Sequence, residues 1–516
     1  MSFSRASGIL LHPTSLPSQF GIGDLGESAY KFVDFLEVSG QKLWQILPLG
    51  PTGYEHSPYT MNFSAFAGNP LMISLEQLVQ KGLLQADELT PLPSDDNPQR
   101  VNFDSVIPHK IKILQLANQR WQQSLKEEKK SAFEEFCQEQ SSWLDDYVLF
   151  MTLLEVNNYQ PWNSWERGLA RREPNALRLI AEKHQETISY HKFLQFVFFQ
   201  QWSELREYAN SKNIKIVGDI SIYVCHNSAD VWANPEIFQL DDQTLESAYI
   251  AGVPPDYFSA TGQLWGNPVY DWEKLRESNF AWWIERFRAT LQYVDIVRID
   301  HFRGFEAYWR VPAGEETAIN GEWVLAPGFE FFETLGNTLG NTLANTLGNT
   351  LGKLPVMAED LGIITPEVEE LRDRFDFPGM RILQFAFGGD ADNPYLPHNY
   401  IHNSVVYPGT HDNETTLGWW QDSASPEVKK HVAKYLGYDF PEEIESINWE
   451  FTRLALASVA DLAILPLQDL LDLDNQGRMN DPSVNAGNWR WRYTSSELLT
   501  PKLSQKLLAM TQLYRR

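Results

Sequence analysis

Short runs of apolar, often β-branched residues recur along this chain and alternate with longer segments that are apolar on one face only. Such runs are typical of strands buried in a parallel sheet, and the longer segments are typical of amphipathic helices. Eight runs qualify as strands, beginning at Gly8, Leu43, Ile214, Val294, Leu354, Arg381, Ser404 and Leu462. Strands that alternate with helices predict an α/β fold, and eight such units predict a (β/α)₈ TIM barrel.

We interpret residues 1–516 as one catalytic barrel with inserted, mostly helical subdomains. Residues 80–172 carry long amphipathic segments, such as 110–123 and 133–156, and are predicted to be a helical insertion. Residues 251–272 combine many prolines, glycines and aromatic residues, which predicts a long active-site loop without regular structure. Residues 334–352 repeat T-L-G-N and are predicted to be a low-complexity insertion in a surface helix or loop.

Three local patterns give sharper expectations. Asp24 and Glu27 resemble a helix start, and Gly40 marks the end of that helix. Residues 43–49 and 381–387 are each predicted to be one strand. The segment G-I-G-D-L-G formally matches a dinucleotide-binding motif, but two prolines and a long loop separate it from the preceding strand. We therefore expect no dinucleotide there.

Composition narrows the range of partners. The net charge is −26, and no Lys or Arg cluster is present that would bind phosphates, so we expect neither nucleic acid nor an anionic membrane as partner. Aromatic residues make up 13% of the chain, which suits a neutral ligand rich in hydroxyl groups. Two cysteines and no recognisable signal or membrane-spanning segment lead us to expect a soluble cytoplasmic protein. The sequence leaves its oligomeric state open between a monomer and a weak homo-oligomer.

The segment V-D-I-V-R-I-D-H-F-R-G-F, residues 294–305, is central to the functional interpretation. Its apolar first half predicts a buried strand, on which Arg298 and Asp300 point to the same side. Reacting groups of α/β barrels lie at the carboxyl ends of the strands, and an arginine beside a carboxyl group favours its ionised, nucleophilic form. Taken alone, an R-x-D pair is more often a structural ion pair, and the other acidic residues of the chain are what favour the functional interpretation.

Four predicted strands end in acidic residues: Asp219, Asp300, Glu359 and Asp412. In a closed barrel these ends converge on one cleft, and paired carboxyl groups with separated pKa values are the groups that glycoside chemistry requires. A metal-dependent hydrolase is the competing interpretation, because His301 and His411 adjoin two of the acids. By analogy of fold, barrel metal hydrolases usually place an H-x-H motif on an early strand, but the first strand here offers only His12. The chain contains no H-E-x-x-H motif either, so we expect no metal.

Several motifs carry a family resemblance. The segments G-D-I-S-I-Y-V, R-I-D-H-F-R-G, A-E-D-L-G and G-T-H-D-N resemble the four signature regions of the α-amylase-type retaining glycosidases. More specifically, L-L-H-P-T-S-L-P-S, the 251–272 segment, F-A-G-N-P, F-P-G-M-R and R-M-N-D-P resemble the amylomaltases, or disproportionating 4-α-glucanotransferases. The resemblance runs nearly end to end. The family often has V-D-Y where this chain has V-N-F at 101–103, which leaves a second glucan-binding platform there open.

The resemblance implies a role for each matching position. It implies a nucleophile at Asp300, a general acid/base at Glu359 and, at Asp412, a carboxylate that binds sugar hydroxyls. The residues implied to bind substrate are Tyr59, Asp219, Tyr257, Phe258, Trp265, Arg298, His301, His411 and Asn480. Of these, Tyr257, Phe258 and Trp265 would border the acceptor side.

The implied activity transfers α-1,4-glucan segments from malto-oligosaccharides to the 4-hydroxyl of a glucan or of glucose by retaining double displacement, without a metal or organic cofactor. Retention requires the carboxyl groups of Asp300 and Glu359 to lie roughly 5–5.5 Å apart. An α-1,4-glucan hydrolase would use the same acids with water as acceptor, and a noncatalytic glucan-binding protein is a third alternative. The presence of all three acids argues against the third.

Overall fold

The structure, a computed structural model, describes residues 3–53, 56–59, 62–93, 97–123, 127–255, 259–347, 353–484 and 486–516, with residues 127–129 and 341–347 described by their backbone alone. The strands within these ranges are β1 Ala6–Leu10, β2 Leu43–Gln45, β3 Lys215–Ser221, β4 Tyr249–Val253, β5 Gln263–Pro268, β6 Ile296–Asp300, β7 Ala307–Pro312, β8 Glu322–Leu325, β9 Val356–Ala358, β10 Gly379–Ile382, β11 Ser404–Tyr407 and β12 Leu462–Pro466.

Eight of these strands form one parallel sheet in the order β10-β11-β12-β1-β2-β3-β6-β9. β1 pairs with both β2 and β12, so strands from the two ends of the chain lie side by side. The last strand in this order meets the first, because the Ala358 N–H donates to the Pro378 carbonyl at 3.0 Å. All eight predicted barrel strands are confirmed, and with them the (β/α)₈ fold.

Two predicted strands are shorter than expected. The strand expected over 43–49 ends at Gln45, three residues before Pro48, which has no N–H to donate to a ladder. The strand expected over 381–387 is wrong beyond Ile382, because Leu383–Phe385 form a 3₁₀ turn. There the Gln384 side chain donates to the Glu414 carbonyl at 2.9 Å and ties the turn to a neighbouring loop.

The helices are α1 Glu27–Val38, α2 Leu75–Gln80, α3 Phe103–Gln123, α4 Glu127–Glu139, α5 Leu144–Val156, α6 Arg167–Ala170, α7 Pro174–Lys183, α8 Gln185–Ser211, α9 Ala229–Ala233, α10 Trp272–Glu277, α11 Ala281–Tyr293, α12 Gly328–Leu347, α13 Pro366–Arg374, α14 Thr416–Gly418, α15 Pro426–Leu436, α16 Ile447–Ala457, α17 Leu467–Leu470 and α18 Pro501–Leu513. No described helix is both long enough and apolar enough to span a membrane.

Three helical details differ from the sequence pattern or extend it. The helix expected over 133–156 is divided between α4 and α5, and Gln140, in the break, accepts a hydrogen bond from the Trp143 indole N–H at 3.0 Å. The N-cap of α1 is Gly26 rather than Asp24, whose carboxylate accepts the Gly26 N–H at 2.9 Å. The first T-L-G-N repeats lie in α12, where Leu335 and Leu339 are buried.

The expectation that 251–272 lacks regular structure is wrong for much of its length. β4 and β5 form an antiparallel hairpin, and β4 also pairs with β7 in a second, four-stranded sheet. The register shifts between Ile250 and Gly252, and a Cβ on Gly252 would lie 2.2 Å from the Gln263 carbonyl oxygen. A glycine therefore permits this close strand pairing rather than preventing it.

Candidate active site

The predicted carboxylates meet at one end of the barrel. β3, β6 and β9 are adjacent in the sheet, and Asp412 follows β11, so the strand ends surround a cleft of about 1010 Å³. Nine of the residues singled out in the sequence line this cleft: Tyr59, Trp265, Arg298, Asp300, His301, Glu359, His411, Asp412 and Asn480. Parallel strands direct their carboxyl ends to the same face, which explains why residues so distant in sequence meet there.

Arg298 links two of the carboxylates. On the neighbouring strand its register partner is Asp219, and its Nη1 lies 2.7 Å from Asp219 Oδ2 and 2.9 Å from Asp300 Oδ1. The Arg298 side chain is only 3% exposed, whereas that of Asp300 is 28% exposed and faces the cleft. The arginine therefore serves both interpretations offered by the sequence, as a buried ion pair and as a contact that orients Asp300.

Asp219 lies beneath the cleft rather than on its wall. Its side chain is fully buried, and Tyr59 Oη donates a hydrogen bond to Asp219 Oδ2 at 2.8 Å. Burial raises the pKa of Asp219, and the Arg298 guanidinium opposes that rise. In this structure Asp219 contacts the site through Tyr59 and Arg298, so its direct contact with a sugar stays a prediction.

Glu359 is held by main-chain donors. Its Oε2 accepts the His301 N–H at 2.6 Å, and its Oε1 accepts the Leu361 N–H at 2.8 Å. His301 adopts a left-handed conformation, with φ 52°, directly after β6. Burial raises the pKa of Glu359, the negative charge of Asp300 raises it further, and Arg298 and the two N–H donors oppose the rise. A carboxyl group in such surroundings suits proton donation near neutral pH.

Asp412 is positioned by a loop that follows β12. Asn480 Nδ2 donates to Asp412 Oδ1 at 2.6 Å, and His411 Nε2 lies 3.3 Å from Asp412 Oδ2. Arg478 donates to the main-chain carbonyls of Asp412 at 3.0 Å and of Asn480 at 2.8 Å. The motif R-M-N-D-P pointed to Asn480 as a site residue but not to Arg478. Arg478 holds the main chains of Asp412 and Asn480 together and was missed.

Aromatic rings form one wall of the cleft. The rings of Tyr59 and His411 stack with centroids 5.0 Å apart and planes 9° apart. Trp489 packs against both, with centroids 5.6 Å from Tyr59 and 5.9 Å from His411. Trp489 was not predicted, because one tryptophan among 18 has no local signal that marks it as a site residue.

A further aromatic residue of the cleft comes from the second sheet. Trp265, on β5, lies edge-on to the His301 ring with centroids 4.8 Å apart. Burial lowers the pKa of His301 to about 4, with Arg303 adding to the effect, and burial also lowers the pKa of His411. The lowered pKa values favour the neutral form of both rings. Tyr257 and Phe258, which are predicted to border the acceptor side together with Trp265, lie outside the described residues.

The V-N-F segment shows no open aromatic face. Phe103 is 4% exposed, and its ring stacks on His56 with centroids 3.7 Å apart. The main chain beside it is tied to the segment carrying Trp489, because the Val101 N–H donates to the Arg490 carbonyl at 2.7 Å. Phe103 therefore packs between loops of the cleft and offers no glucan platform.

Comparison with known proteins gives one consistent picture. The profile of a family described as 4-alpha-glucanotransferase matches residues 11–498. The 4-alpha-glucanotransferase of Synechocystis sp. is 54% identical over 513 residues, 99% of this chain and 98% of that protein. That of Thermus thermophilus is 45% identical over 518 residues, 99% of each chain. The solved amylomaltase from Streptococcus agalactiae in complex with acarbose is similar with a TM-score of 0.91, at 38% identity and 99% coverage of each chain.

Proposed function

This chain belongs to the 4-alpha-glucanotransferase family and is an enzyme that transfers 4-alpha-glucan segments; we propose that Asp300 and Glu359 perform the transfer by retaining double displacement. The observation that carries this proposal is the pairing of these two carboxyl groups across adjacent strands in one cleft. Asp300 contacts a buried arginine, while burial and the charge of Asp300 raise the pKa of Glu359. Their environments thus separate a nucleophile from an acid.

In the first step, the Asp300 carboxylate attacks the anomeric carbon of a bound α-1,4-glucan. The bond to the departing 4-oxygen breaks as Glu359 gives that oxygen its proton, and a β-linked glycosyl ester with Asp300 results. The N–H groups of His301 and Leu361 stabilise the Glu359 carboxylate that this step creates. Asp412, fixed by Asn480, binds sugar hydroxyls and favours the distorted ring.

In the second step, the Glu359 carboxylate takes the proton of an incoming 4-hydroxyl as that oxygen attacks the anomeric carbon and releases Asp300. Two inversions return the α configuration. The donors are malto-oligosaccharides and longer α-1,4-glucans, and the acceptors are glucans or glucose. Trp265, which lines the cleft, borders the acceptor side, where an aromatic face favours a sugar over water.

Disproportionation of maltotriose tests the activity and the nucleophile together. We expect glucose and a ladder of longer glucans at a constant number of reducing ends, and no reaction from Asp300→Asn. Rising reducing ends without longer products would indicate a hydrolase instead.

A trapping experiment tests the two assigned roles separately. Glu359→Gln incubated with maltotriosyl fluoride, whose leaving group needs no proton, should accumulate a glycosyl ester that peptide mass spectrometry locates on Asp300. An ester on another residue, or a product of inverted configuration, would refute the double displacement.

A further inference from the structure

Two motifs of the sequence, A-E-D-L-G and F-P-G-M-R, meet at the weakest junction of the barrel. The parallel sheet begins with β10 and ends with β9, and no ladder pairs these two strands within the described chain. The hydrogen bond from the Ala358 N–H to the Pro378 carbonyl joins them at 3.0 Å. Glu359 follows β9 directly, so the strand that carries the proposed acid/base has a described ladder on one side only, with β6.

The Asp360 carboxylate fills this junction. Glu359 faces the cleft, whereas Asp360, 5% exposed, extends to the neighbouring strand, where its Oδ1 accepts the Met380 N–H at 2.6 Å. Its Oδ2 lies 2.6 Å from Nη1 of Arg372, on α13, and 3.9 Å from Nη1 of Arg381. One carboxylate therefore ties β9 to both the next strand and the next helix.

The glycine of F-P-G-M-R is required by this arrangement. A Cβ on Gly379 would lie 2.2 Å from Asp360 Oδ2 and 2.8 Å from its Cγ. Real Cβ atoms do not approach other atoms so closely, so any side chain at this position would displace the carboxylate. Gly379 and Asp360 therefore form one unit, although neither lines the cleft.

We propose that Asp360 is a positioning residue: its carboxylate replaces the missing β9–β10 ladder and so fixes the main chain that aims Glu359 at the leaving oxygen. This inference rests on the proposed role of Glu359. Asp360→Asn keeps the shape of the side chain but removes the charge that pairs with Arg372. Gly379→Ala leaves Asp360 intact but forces it to move. Either variant should misplace the acid without removing it.

The test compares kcat/KM for maltotriose, whose leaving oxygen needs a proton, with kcat/KM for maltotriosyl fluoride, whose leaving group does not. We expect both variants to lose about tenfold or more on maltotriose and less than about threefold on the fluoride, because a misplaced acid affects proton transfer first. The Glu359→Gln variant lacks the acid altogether, so it shows how large the difference between the losses on the two substrates can become. A purely structural role would lower both constants in equal proportion.

Asp295→Asn is the matched control. Asp295 is a buried carboxylate at the other end of a barrel strand, bound by Arg206 at 2.7 Å and by the Ile216 N–H at 2.8 Å. The Asp295→Asn substitution should lower the melting temperature without changing the ratio of kcat/KM for maltotriose to kcat/KM for maltotriosyl fluoride. A wild-type ratio in both test variants, or a shifted ratio in the control as well, would overturn the positioning role. A wild-type ratio in Glu359→Gln would instead overturn the role of Glu359 itself.

Discussion

Replacing Tyr59 by Phe isolates one hydrogen bond in the carboxylate network. The substitution removes the hydroxyl that donates to Asp219 Oδ2 at 2.8 Å and keeps the ring that stacks on His411. The chain contains a matched control: Tyr407 is a buried tyrosine whose hydroxyl donates, also at 2.8 Å, to the neutral side chain of Gln45. The two substitutions delete the same atom from bonds of equal length.

The acceptors set the expected difference in stability. A hydrogen bond to a charged group contributes about 1.5–3 kcal/mol, and one between neutral groups about 0.5–1.5 kcal/mol. Tyr59→Phe should therefore lower the free energy of unfolding by roughly twice as much as Tyr407→Phe wherever Asp219 is ionised. Because burial raises the pKa of Asp219, the excess should be complete at mildly alkaline pH and shrink as the pH falls through that raised value.

The assay is urea unfolding followed by tryptophan fluorescence, with each variant compared with the wild type at the same pH. In an Asp219→Asn background, the cost of Tyr59→Phe should fall to that of Tyr407→Phe, because the acceptor is then neutral. Equal costs for the two single substitutions at alkaline pH would refute the charged hydrogen bond and show that Asp219 is protonated in the folded enzyme.

Three further predictions concern the cleft. Because the pKa of Glu359 is raised from 4.5, its acid form persists to higher pH, so kcat/KM for maltotriose should fall only well above that value; a fall centred near 4.5 would contradict its role as acid. His301→Val should be less stable to urea than His301→Asn by about 1–2 kcal/mol, since both lose the imidazole but only Asn tolerates φ 52°; equal stability would argue against backbone strain. Trp265→Ala should raise the number of new reducing ends per transfer event, and an unchanged ratio would refute its role in excluding water.

The sequence alone determined the barrel and the convergence of Asp300 and Glu359 on one cleft. Runs of apolar residues identified all eight barrel strands, because buried parallel strands are apolar on both faces and stand out in any context. Asp300 and Glu359 were recognisable because they lie at the ends of such strands, where alternation fixes their direction. The contact between Arg298 and Asp300 followed from the same rule, since the residues are two apart on one strand.

Tertiary structure decided whatever depended on distant partners. The hairpin of β4 and β5 was missed because strand pairing with β7 outweighs the local effect of Pro and Gly. Trp489 entered the site because its loop packs beside His411, and Asp219 was drawn beneath the cleft because Arg298 is its register partner. A sequence records which side chains a strand presents, but a residue's burial and neighbours are set by strand order and loop packing, which bring together groups hundreds of residues apart.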